Sequence, residues 1–442
     1  MMTVIINDVA ARVRAQAADL PQLFARFDFN RPPERWAGEA GAATELSRRP
    51  DIDRDAYLAD ADLVARIREY TMLGDRTGDA YAALMPQLGF RGTVDMLVKA
   101  CDQGVEAVAD APPELIALIR DMEHIPDWLD RRMVEEGAAY ERNSTANIAP
   151  YLVRGAFIAT FLNKYSALPM ALTGTLGHAT AGRRVKETAT FFATTTLPGA
   201  LERFGPGFKS AAMVRLMHSM VRVNLLSRPG LWDVETYGMP IPQLDQMPAG
   251  LIPIYFLSVD VLKAGRTQFN RRERARVELA RYRCYLLGLP EDLLADTPEE
   301  VVRIWRTRSA TLRYDYDDAV CGGLLRATMN AELSTDPSPS ARIKRRLEQS
   351  VSRVFFVKAF LEGDSARATS VGVPITPVDR LIYGATMLAL AGRMAAYAAA
   401  AKMPLLRDFA DRRLIRRIHR QLAVYGRAEF TSDAATYRPA TA

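Results

Sequence analysis

At 442 residues the chain has enough length for one large domain or two to three ordinary ones, and its 49% hydrophobic and 25% charged content excludes global disorder. The net charge of +6 is a mild basic excess, without the dense basic stripe or motif of a nucleic-acid binder, so no nucleic-acid partner is expected. Three cysteines, Cys101, Cys284 and Cys321, lie far apart with no C-x-x-C, a pattern that fits free thiols in a reducing compartment.

In chain order, the first fifty residues are the least regular, and Phe24, Phe27, Phe29 and Trp36 mark an N-terminal arm (1–50) packed on the body. Helix formers with apolar residues recurring at three and four then occupy 54–70, 91–110, 113–122, 129–142, 151–165 and 181–195. The same pattern covers 208–226, 255–267, 270–287, 299–312, 317–332, 339–362, 378–402 and 407–424. Proline and glycine cluster between these runs, as at Pro112-Pro113, Gly205-Pro206-Gly207 and Pro229-Gly230. The longest irregular region is about 228–252, and the last fifteen residues are expected to fray. Period-2 stretches are scarce, there is no internal repeat, and no flexible linker divides the chain. The expectation is one compact all-α domain over 1–442.

The Ala-rich run from Leu381 to Met403 is broken by Arg393 and Lys402 and reads as a buried helix of a soluble protein. The N-terminus lacks the basic and apolar regions of a signal peptide. A cytoplasmic chain without stable membrane insertion is therefore expected.

Chemistry concentrates on 207–222. His218 is one of four histidines and sits on an apolar helical run, with Arg215 three residues before it and Arg222 four after. At about 100° per residue, Val214, Val221 and Leu225 fall on the side of His218, while the arginines take the other flank. A histidine so framed can ligate a metal or haem iron, and the arginines can pair with the two carboxylates of a haem. Periodicity alone fits a satisfied core histidine with two surface arginines better.

Thirty residues earlier, Arg184 and Thr188 share a helix face, with Glu187 beside them. Over an iron these groups could hydrogen-bond dioxygen and move protons; on periodicity alone a solvated charged face fits better. Gly177-His178 to Arg184 lacks the ending of a phosphate loop, His124 reads as a turn or cap residue, and His419 sits on a solvated basic face. No H-E-x-x-H, Glu-x-x-His or G-x-S-x-G motif is present.

Ile125-Pro-Asp-Trp-Leu-Asp130, Arg184 to Thr188, Met213 to Arg222 and Trp232 to Gln243 occur in an order and spacing that resembles the latex-clearing proteins and the wider family of mpaB-type oxygenases, most clearly over about 115–290. The resemblance implies an all-α fold with a globin-like helical core around non-covalent haem b and additional flanking helices. It implies His218 as the proximal iron ligand, and Arg184 and Thr188 as the arginine and threonine of the family's distal segment. Rubber-cleaving members cut the double bonds of cis-polyisoprene with dioxygen, leaving aldehyde and ketone ends. This chain departs from their pattern at two points. Glu187 stands where they carry lysine, with Lys186 one residue early, and Leu168 stands where they carry a glutamate.

The resulting expectation is a haem b-dependent oxygenase that cleaves a small apolar alkene or isoprenoid-like substrate with dioxygen. His218 is the axial ligand, Arg215 and Arg222 are propionate partners, and Arg184, Glu187 and Thr188 are the catalytic group. The alternatives are a haem peroxidase or monooxygenase-type oxidase, and a non-catalytic helical binding protein.

Overall fold

The computed structural model describes residues 2–49, 51–174, 177–334 and 336–426, without the side chains of 2–7, Arg48, His178, Ala179 and Ala249. The expected fraying of the last fifteen residues lies outside the described residues. The fold is all-α. Among the described residues the only extended pairings are two isolated bridges, Trp36 with Leu312 and Thr44 with Arg313.

Seventeen helices of seven or more residues carry the described chain: α1 (Met2–Asp19), α2 (Ala61–Tyr70), α3 (Arg76–Ala82), α4 (Met85–Gln103), α5 (Pro113–Glu123), α6 (Arg131–Asn147), α7 (Ala149–Ala159), α8 (Lys164–Leu172) and α9 (His178–Thr194), then α10 (Pro206–Leu226), α11 (Gln246–Lys263), α12 (Arg271–Leu286), α13 (Pro298–Thr311), α14 (Gly323–Asn330), α15 (Pro339–Phe360), α16 (Pro377–Ala400) and α17 (Pro404–Tyr425). Local chemistry sets many of their starts. Asp60, Asp75, Asn270, Thr297, Ser338 and Thr376 each accept a main-chain N–H with the side chain at the N-cap. Proline at the first turn opens α10, α13, α15, α16 and α17, where its missing N–H costs nothing.

Contacts within the chain divide it into two units, Met1–Val134 with Leu201–Asp315, and Glu135–Ala200 with Tyr316–Ala442. Each is discontinuous in sequence and each has its own core. In the first unit Val13, Ile67, Leu244, Val277, Cys284 and Leu312 are among the fully or almost fully buried core side chains. In the second, Ile158, Phe161, Leu324, Phe356 and Val357 play that part, and a smaller cluster joins Ala146, Leu197 and Ala200 to Leu414 and Ile418.

The N-terminal arm contains more helix than its sequence suggests, since α1 runs over residues 2–19 and packs on α2. The rest is an arm packed on the first unit's core through Phe27, Phe29 and Trp36. Arg35 is 2% exposed and bonds the Asp245 carboxylate, while Arg308 reaches Asp245 and Glu45. The loop expected over 228–252 is shorter than predicted. A helical turn forms at Val234–Tyr237, and α11 already begins at Gln246.

The second unit turns on Arg154. Its side chain is fully buried, forms a two-pronged pair with Glu348, and donates to the carbonyls of Thr328, Met329 and Ala331. One arginine thereby ties α7, α14 and α15 together. The neighbouring Gly155 permits this close approach, because a Cβ there would stand 2.5 Å from the Ser352 carbonyl oxygen and 3.0 Å from the Phe355 ring. Gly155→Ala is expected to destabilise the protein by about 1–3 kcal/mol, the usual cost of overpacking against a backbone atom. A urea titration of variant and parent checks this.

Candidate functional site

α10 is the frame of the first candidate site. Proline at its first turn starts it, and the Ser227 N–H closes it on the Val223 carbonyl. Fourteen of its residues are buried, so both flanks of this helix lie against protein. His218 is half-buried within it, next to the half-buried Met217, with Val221 buried one turn on and Leu225 two turns on. The Gln246 side-chain amide hydrogen-bonds His218 Nδ1 at 2.9 Å. Gln246 is itself 5% exposed and belongs to the first turn of α11.

This donor set suits a haem iron better than a bare ion. Among the described residues no group of three or more His, Cys, Asp or Glu is placed to hold a metal ion. A single imidazole can serve an iron whose remaining ligands come with its own macrocycle. A histidine held through Nδ1 ligates through Nε2, and a hydrogen bond to the first nitrogen fixes ring orientation and tautomer. Sequence reasoning missed Gln246 because it lies within 228–252, which read as irregular.

Arg215 and Arg222, the expected propionate partners, are engaged within the protein. Each is buried and each is occupied by a carboxylate of the first unit. Arg215 bonds Asp75 with two nitrogens, both at 2.7 Å, and its third nitrogen lies 2.8 Å from Asp121. Arg222 bonds Asp79 through Nε at 2.7 Å, the Ile241 carbonyl through one terminal nitrogen and Ser219 Oγ through the other. All the guanidinium nitrogens are engaged, so these arginines do not offer a haem carboxylate the open donor fork that was expected of them. They lock α10 onto α3. Burial pushes Asp75 upward, but the Arg215 charge and hydrogen bonds outweigh it and hold the carboxyl below its ordinary range.

The local sequence Gly74-Asp75-Arg-Thr-Gly78-Asp79 makes the lock possible. Asp75 caps α3 by accepting the Gly78 N–H, so its carboxylate is fixed before it meets Arg215. A Cβ on Gly78 would stand 2.6 Å from Ser219 Oγ, so glycine is what lets the two helices meet. Two aspartates four apart facing two arginines seven apart was the available sequence signal.

α9, in the second unit, holds the other candidate group. Arg184 and Glu187 are 13% and 10% exposed and pair at 3.3 Å, as their spacing predicts. Thr188 is half-buried on the same helix. Burial raises the Glu187 carboxyl above its ordinary value, although Arg184 and Arg183 pull the other way. A carboxyl in that position can hold a proton at higher pH than a solvated one, which suits general acid–base work. Leu168, at the position where rubber-cleaving members carry glutamate, is half-buried on α8.

The remaining histidines are peripheral. His124 ends α5 and its Nδ1 meets the Tyr285 hydroxyl at 2.9 Å, and His419 is exposed on α17. The side chain of His178 lies outside the described residues. Cys101, Cys284 and Cys321 are buried free thiols, and burial pushes the first two up to about 12.

Comparison with known proteins adds an independent line. The family pattern described as "ER-bound oxygenase mpaB/B'/Rubber oxygenase, catalytic domain" matches residues 145–423, more than half of the chain and further towards the C-terminus than 115–290. A solved structure described as "Structure of Latex Clearing Protein LCP in the closed state" is similar over 80% of this chain and 91% of that one, with a TM-score of 0.53 and 16% identity, which is a likeness of fold. No curated protein matches the chain in sequence.

The lock on α10 carries a prediction that separates it from cofactor binding. Arg222→Ala leaves Asp79 buried without its cation and is expected to cost about 3–5 kcal/mol. Chemical denaturation of the cofactor-free protein measures it. An unchanged unfolding midpoint would return Arg222 to a role outside the fold.

Proposed function

The chain belongs to the mpaB/rubber oxygenase family, and from that premise we propose that it is a haem b-dependent oxygenase acting on a small apolar alkene or isoprenoid-like molecule. The observation that carries the reading is the His218 imidazole, half-buried on α10 and held at Nδ1 by the Gln246 amide. Haem b, when bound, supplies an iron able to activate dioxygen.

The roles of this chain's residues follow from their chemistry. His218 would hold the iron through its ring nitrogen, and Gln246 sets the ring's orientation. Arg184 would offer a cation and Thr188 a hydroxyl able to hydrogen-bond dioxygen. Glu187, whose carboxyl is raised by burial, holds and returns a proton. It takes over the acid–base duty that a glutamate at Leu168 performs in the rubber-cleaving pattern. Its pairing with Arg184 keeps the carboxyl on the face that carries the other two. These differences from the rubber-cleaving pattern favour a small substrate over polyisoprene, and oxidative cleavage of its double bond as the reaction.

Protein expressed with adequate haem should show a Soret band, and its absence overturns the reading. His218→Ala should remove or greatly weaken that band while the fold, followed by circular dichroism, persists. Glu187→Gln should leave the spectrum intact and slow turnover by roughly 100-fold, the lower range for loss of a general acid or base. In the parent enzyme the pH–rate profile should carry a limb above the ordinary glutamate value of 4.5, and this limb should vanish in Glu187→Gln. Turnover unchanged by that substitution removes Glu187 from the chemistry. Incorporation of both atoms of labelled dioxygen into product distinguishes cleavage from monooxygenation.

A further inference from the structure

Hydrophobic content led to the expectation that Leu381–Met403 is buried, and the structure reverses it. By length and composition α16 is apolar enough to cross a membrane, yet only 6% of its most apolar window is buried. Its inner side is well anchored. Asp379 is fully buried and accepts the Ser350 hydroxyl at 2.7 Å, the Lys358 ammonium lies over the Tyr383 ring at 4.8 Å, and Leu390 is 2% exposed. Its outer side is the apolar one. Leu381 and Leu388 are 73% and 77% exposed, and Ala385, Gly392, Ala395 and Ala399 extend them in a single stripe at helical spacing.

The turn into α17 continues this surface. Every residue from 401 to 409 is exposed, with Leu405 at 94% and Phe409 at 50%. At 100° per residue, the side of α17 that carries Leu405 and Phe409 goes on to carry Arg412, Arg413, Arg416 and Arg420, all exposed. Arg416 and Arg420 donate to main-chain carbonyls of their own helix, and among the described residues no carboxylate pairs with any of these four arginines.

We propose that the outer face of α16 and the α16–α17 turn form a peripheral docking surface for an anionic phospholipid bilayer. Leu381, Leu388, Leu405 and Phe409 enter its apolar boundary, and the α17 arginines meet its headgroups. Charge complementarity selects this occupant, since an apolar stripe running into unpaired arginines has as its complement an apolar layer edged with anions. α16 lies along the bilayer rather than across it, because spanning would pull Asp379 and Leu390 out of their contacts with the second unit.

Co-sedimentation of the full chain with vesicles tests the proposal. Binding is expected to vesicles containing phosphatidylglycerol, to be weak with phosphatidylcholine alone, and to fall as salt rises. Leu405→Glu with Phe409→Glu should abolish it. Arg412→Gln, Arg413→Gln and Arg416→Gln together should weaken it on the order of 100-fold, at about fivefold per arginine. All these positions are exposed, and unchanged thermal melting confirms that the variants fold. Failure to bind either vesicle overturns the proposal, as does binding that survives the Leu405/Phe409 double substitution. A lipid-indifferent dimer that Leu388→Arg converts to monomer would assign the face to a second copy. Vesicle binding that emerges only after removal of residues 427–442 would assign it to the chain's own end.

Discussion

The first unit depends on two buried arginine–aspartate pairs between α10 and α3. Arg215 and Arg222 lie seven residues apart, two helical turns or roughly 10 Å along the axis, and each is held by its own carboxylate. Two contacts at different heights on one helix fix its rotation as well as its position. Taking such charges out of water costs several kcal/mol per ion, and the pairs chiefly offset that cost. What they contribute is geometry. With both arginines pinned beside it on the same side of the helix, His218 is held in one direction, where Gln246 meets it. A sliding hydrophobic contact would not set that angle. The second unit uses related means, since Arg154 converges on Glu348 and three backbone carbonyls and leaves α7, α14 and α15 little freedom to shift.

α10 therefore fixes the direction in which His218 projects. On α9 a salt bridge with only moderate exposure leaves Glu187 with a raised proton affinity while Arg184 keeps it oriented. Against α10 burial likewise raises the Asp79 carboxyl, to about 6, although Arg222 pulls the other way, so neither helix compensates its buried charge fully.

Much of the fold was legible in the sequence. The 3.6-residue recurrence gave α10 as 208–226 against Pro206–Leu226, and α12 as 270–287 against Arg271–Leu286. Helices were lost where a local signal outvoted the period. The irregular reading of 228–252 hid the start of α11, where Pro248 sits in the first turn, a position in which proline is tolerated. The roles of Arg215 and Arg222 were not legible, because an arginine three residues from a histidine looks the same whether it faces a carboxylate of the protein or of a ligand. Their partners lie 140 and 143 positions away. The exposure of α16 was hidden for a related reason. Hydropathy reports what a helix would rather avoid, and says nothing of what covers it.

That sequence separation has a consequence for how the protein comes into being. The first unit is assembled from Met1–Val134 and Leu201–Asp315, with part of the second unit's chain between them. During synthesis Asp75 and Asp79 emerge well before Arg215 and Arg222 exist. Until α10 is made, those carboxylates have no counter-charges to bury against, and the loop that must close to supply them spans some 140 residues. The histidine that the pairs orient is thus among the last elements of its unit to be set. Closure of a long-range electrostatic latch, rather than completion of local helices, is the step that sets the direction of His218.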